Sequence, residues 1–98
     1  MDSSQEVVLG IAWFRPEQWE LLREVAVDAD VLESTHAEWE TLARRTIKDL
    51  AQQGILARRI DVDVERLQAW CAEHQRPLDA SARAAYASER LRYGTEFA

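Results

Sequence analysis

The chain has one cysteine, Cys71, and no stretch that approaches the roughly 20 apolar residues needed to span a bilayer. An intramolecular disulfide is excluded, and with it the disulfide-stapled secreted fold. The first six residues, Met1 to Glu6, are acidic and polar. They lack the basic and apolar regions of a signal peptide, so a cytoplasmic protein is expected. β-structure is scarce too. Only Glu6 to Trp13 and Ile55 to Val62 read as strand. A two-stranded ribbon is marginal in water unless helices or further strands complete it. That shortage points to a second copy of the chain or to another protein partner.

What is present fits one small domain. The length is 98 residues, and 47% of them are hydrophobic, which argues against disorder. Trp13 falls in the first strand, and Trp19, Trp39 and Trp70 fall in the first three helices. Each can bury about 150–250 Å², enough for a few of them to centre a small core. Residues 1–93 read as a single domain and 94–98 as a tail.

The net charge of −6 is unevenly spread. Residues 1–40 carry −8, and residues 41–98 carry +2. Ridges of opposite sign could therefore pair within a chain or between two chains. On the first helix Glu17, Glu20 and Glu24 share a ridge. Arg44, Arg45 and Lys48 on the second helix, with Arg58 and Arg59 on the second strand, form the basic counterpart. No Gly-rich or aromatic RNA-binding signature accompanies that patch, so nucleic acid is not the expected partner.

Local signals set the order of elements. Val7 to Ala12 is nearly continuous in apolar residues, as in a strand buried on both faces. Gly10 inside it allows a backbone or a Trp ring to approach closely. Pro16 suits the first position of a helix, with Glu17 and Glu20 at its positive end. Thr35 to Glu38 reads as a capping box, with Glu38 reaching back. Behind it Trp39, Leu42, Ala43, Thr46, Ile47 and Leu50 recur at helical spacing up to Gly54. Trp39, at the head of that stripe, is expected to be largely buried. Asp61 or Asp63 caps a third helix, and Asp79 caps an Ala-rich fourth that ends at Gly94. The result is α+β: strand–helix–helix–strand–helix–helix, a small two-stranded sheet covered by helices and completed by dimerisation. The two halves match weakly at an offset of about 46–48 residues with almost no identity, a coincidence of patterning as much as a duplication.

Three groups of residues carry side chains suited to chemistry. Asp61-Val62-Asp63-Val64 after an apolar strand superficially resembles the first motif of haloacid-dehalogenase-type phosphatases. That chemistry needs a downstream Lys and a larger parallel sheet, and no Lys follows Val64. Helix capping is the preferred reading of the pair. Cys71 and His74 lie one turn apart, a spacing usable by Zn²⁺, but four ligands are required and His36 is the only other histidine. A buried, hydrophobe-like Cys71 is the expectation. Asp28, Asp30 and Glu33 cluster in a loop without the central Gly of a Ca²⁺ loop. No catalytic, cofactor or metal residues are assigned, and no membrane association is expected.

Gly10 to Glu17, Glu38-Trp39, Asp61-Val62-Asp63, Ala69-Trp70-Cys71 and Leu78 to Arg83 with Tyr86 resemble, as an ensemble, a group of small uncharacterised bacterial proteins of about this length. The resemblance covers most of the chain. It implies a bacterial cytoplasmic origin and carries no activity with it. The function expected is a non-enzymatic module that self-associates, as a homodimer, or binds a protein partner. The alternative is a small metal- or ligand-binding enzyme that uses Cys71 and His74 or the Asp61/Asp63 pair.

Overall fold

The computed structural model describes residues 7–93. Glu6 and the Gly94 helix stop expected from the sequence lie outside that range. The order of elements is β1 (Val7–Trp13), α1 (Trp19–Val25), α2 (His36–Gln52), β2 (Ile55–Asp61), α3 (Val64–Glu73) and α4 (Ala80–Tyr93). Pro16–Gln18 and Ala29–Val31 form single 3₁₀ turns on either side of α1. The fold is a small α+β arrangement of four helices and one two-stranded sheet.

The strands run parallel, Val7 opposite Ile55 through Trp13 opposite Asp61. Parallel pairing demands a long crossover, and α1 with α2 supplies it. Side chains alternate between the two faces of a strand, so Gly10 and Trp13 point to opposite sides. A Cβ on Gly10 would lie 2.9 Å from the carbonyl oxygen of Ala87. The close approach permitted by Gly10 is therefore to the backbone of α4. On the other face Trp13 meets Trp39 of α2, ring centroids 4.9 Å apart. The helices that follow β1 and β2 thus cover opposite faces of the ribbon.

The helix ends obey their local signals. Thr35 Oγ1 accepts the N–H of Glu38, and Asp63 Oδ1 accepts those of Glu65 and Arg66. Asp79 Oδ1 accepts the N–H of Ala82. Only one half of the expected capping box forms, because the exposed Glu38 carboxylate makes no return bond. Gly54 takes the left-handed conformation at φ 83°, as a C-terminal glycine should.

The core is gathered at one end of the ribbon. Phe14, Trp19, Leu22, Val62, Val64, Leu67, Cys71, Leu78, Ala82 and Tyr86 are buried together. They come from α1, α3, α4, the loop between α3 and α4, and the segments just beyond the carboxyl ends of the strands. A bidentate ion pair ties the loop after α1 to α4: Arg83 Nη1 and Nη2 lie 2.9 and 3.0 Å from the two oxygens of Asp28. Helix α2 lies outside this core and contains no buried residue at all. Trp39 is nevertheless packed against that core and largely buried, as its place in the stripe suggests, though not fully so. It is held by rings, with Trp19 at 5.3 Å and Phe14 at 5.6 Å, because only two strands lie beneath its helix.

Candidate functional site

The amino end of the ribbon exposes apolar side chains on both of its faces, Val7 and Leu9 on the α2 side and Val8 and Leu56 on the α4 side. Val7, Val8 and Leu9 face Ile55, Leu56 and Ala57 at the amino end of both strands, away from the core. Val7, Val8, Leu9 and Leu56, together with Leu42 of α2, are between 40% and 57% exposed. Single exposed hydrophobes are ordinary, but adjacent ones on a ribbon end mark a contact surface. The surface continues along β2. Helix α4 lies over β1 and leaves β2 open on that side, where a groove of about 510 Å³ runs past Leu56, Arg58, Ile60 and Leu91. A second depression of about 260 Å³ lies between the end of α2 and the start of β2, at Ala51, Gly54, Ile55 and Leu56.

Basic residues border this surface. Arg44 and Arg59 both lie over the Trp13 ring, at 5.7 and 4.4 Å from its centroid. Arg44 also donates to Glu40 at 2.6 Å, and this neighbour holds the Glu40 carboxyl below the usual range. Among the described residues Arg45, Lys48 and Arg58 form no ion pair, and neither do Glu20 and Glu24 of the acidic ridge. Glu17 pairs with its neighbour Arg15. The acidic and basic ridges therefore do not meet within one chain.

The residues singled out for chemistry are dispersed. Cys71 is buried in the core, and burial pushes its thiol up from the ordinary value. His74 is exposed, with Nδ1 2.8 Å from the carbonyl of Trp70 and its ring stacked on that indole. No hydrogen bond joins Cys71 to His74. The loop acids diverge: Asp28 turns inward to Arg83, Asp30 is exposed, and Glu33 contributes its backbone carbonyl to the Trp19 indole. Among the described residues no three His, Cys, Asp or Glu side chains converge on a point.

Asp61 and Asp63 do come together, beside Arg15. Its Nε lies 3.4 Å from Asp61 and its Nη2 3.8 Å from Asp63. These three residues share a cleft of about 210 Å³ with Arg66, Tyr86 and Arg90. Sequence reasoning did not single out Arg15, Arg66, Arg90 or Tyr86 as a group, since they are spread over the loop after β1 and two helices and fit no spacing rule. The apolar ribbon end was equally hidden, because residues 7–9 read as a strand buried on both faces.

Comparison with protein-family models, with curated proteins and with solved structures finds no match to this chain. No helix among the described residues is long and apolar enough to cross a membrane.

Proposed function

We propose that this chain is a non-enzymatic bacterial module that works in the cytoplasm by associating with a second copy of itself. The observation that carries the reading is the ribbon end, where Val7 and Leu9 on the α2 face and Val8 with Leu56 on the α4 face are all exposed. The absence of any buried residue on α2, a 17-residue helix with an apolar stripe, supports it. Charge favours a second copy over an unrelated partner. The chain presents an acidic ridge on α1 and a basic one on α2 and β2 that do not meet internally, so two copies can each satisfy the other. A two-fold arrangement would use both contacts twice.

Magnitudes set the expected affinity. Burying the exposed half of a Val or Leu side chain contributes about 1 kcal/mol. Five such side chains from each of two copies, set against the entropy lost on association, fall short of the ~12 kcal/mol of a nanomolar complex. A dimer in the micromolar range is the expected species. Surface ion pairs add about 0–1 kcal/mol each and orient the contact. Sedimentation velocity across a concentration series, with Leu42→Asp as the surface variant, tests the reading. Dimerisation weakened by the variant supports it. A monomer at every concentration refutes it.

A further inference from the structure

We infer that the cleft at the carboxyl ends of the two strands binds a phosphate group, free in solution or carried by a small molecule. The position is set by topology. In sheets with parallel strands, ligands collect outside the carboxyl ends, where connections leave adjacent strands toward opposite faces and open a crevice. Here β1 leads to α2 on one face of the ribbon, and β2 leads through α3 to α4 on the other. The cleft of about 210 Å³ is found there, next to Asp61, the last residue of β2, and Arg15, two residues past β1.

Charge identifies the ligand class. Three guanidinium groups, Arg15, Arg66 and Arg90, border this cleft in a chain of net charge −6. Arg15 is already matched by Asp61 and Asp63. Arg66 and Arg90 make no ion pair among the described residues. With Asp61 and Asp63 counted against the three guanidinium groups, the lining residues carry a net charge of +1, and a phosphomonoester carries about −1.5 to −2 near neutral pH. The planar guanidinium fork also fits phosphate oxygens in pairs. Tyr86, a buried residue, completes the wall. The amino end of α3 offers no free amides for this purpose. Gln18 Oε1 accepts the N–H of Val64, and Asp63 accepts the next two. Recognition rests on the side chains, and the small volume admits a phosphoryl group with only a short stem.

The test is an NMR titration of the full chain at constant ionic strength, with chloride as the balancing anion. Inorganic phosphate is used in one series and glycerol phosphate in another, and arginine Nε–H signals are followed. The expected result is saturable one-to-one binding, with shifts centred on Arg15, Arg66 and Arg90. The double variant Arg66→Gln/Arg90→Gln should weaken it about tenfold or more, since two charge-assisted forks are lost. Arg66→Lys keeps the charge, removes the fork and should weaken it less. Arg76→Gln, beyond the far end of α3 and outside the cleft, should leave it unchanged. Tighter binding of glycerol phosphate assigns the site to a small phosphomonoester, and equal binding assigns it to free phosphate. Failure of both ligands to saturate in the millimolar range overturns the inference. So does binding that the double variant leaves intact.

Discussion

Gly10 is held to zero side-chain volume by a helix backbone. A methyl group there would press on the carbonyl of Ala87, 2.9 Å away, and backbone cannot rotate aside as a side chain can. Gly10→Ala should therefore cost about 1–3 kcal/mol in urea unfolding, the usual range for overpacking. Asp28 is the other residue with a large individual effect. Its hydrogen bonds to Arg83, joined by the Ala80 N–H, hold its carboxyl below the ordinary 3.8. The folded state thus binds that proton less readily than the unfolded chain. The stabilisation is complete above the ordinary value and is lost as pH falls below it, through the depressed folded value. Asp28→Asn should cost about 2–3 kcal/mol at pH 7, between an exposed pair and a fully buried one. It should also flatten the acid limb of a pH–stability profile; an unchanged limb would remove Asp28 from the account. Neither effect was legible in full. Gly10 signalled close approach, but nothing in the sequence connects Asp28 with Arg83, 55 positions away. Caps at Thr35, Asp63 and Asp79 were legible because a cap is satisfied within three residues.

At the level of elements, both strands and the later three helices follow from local pattern. The first helix divides, with a 3₁₀ turn at Pro16–Gln18 before the α-helix begins at Trp19. Strand direction could not be read locally, since parallel and antiparallel ribbons present the same alternation. Burial of α2 could not be read either. Its stripe is what a core-facing helix requires, yet the ribbon beneath is only two strands wide. Trp39 shows the consequence. Packed against Trp13, Phe14 and Trp19 but not fully buried, it should contribute less than a core indole. Trp39→Ala is expected to cost about 2–3 kcal/mol in urea unfolding, below the usual 3–5 for a core Trp. A loss above that range would mean that α2 is buried in solution, and a second chain would be the reason. The cleft formed by Arg15, Arg66 and Arg90 is likewise a product of element placement, which brings together the carboxyl end of a ribbon and two helices.

The molecule as a whole is lopsided. Its core sits at the carboxyl end of the ribbon, while the amino end and α2 carry apolar surface into solvent. The radius of gyration is 14.3 Å. A compact chain of this length would have about 12.5 Å. Two features at opposite ends of one ribbon divide the account: a contact surface at the amino end and a polar cleft at the carboxyl end. They are separable, because a substitution in one leaves the other untouched. Salt distinguishes the forces within the contact surface. Screening acts on the charged ridges and spares apolar burial, so 0.5 M NaCl should weaken association a few-fold without abolishing it.

The most direct measurement is the weight-average mass of the chain by sedimentation equilibrium, from sub-micromolar to about 100 μM, beside the variant Leu56→Asp. Leu56 is half-exposed in the single chain, so the variant should keep its fold and lose only its contact. The account predicts a rise from the 11.3 kDa monomer to twice that mass with a micromolar midpoint, shifted at least tenfold by the variant. A constant 11.3 kDa throughout, or a dimer indifferent to Leu56→Asp, would contradict it.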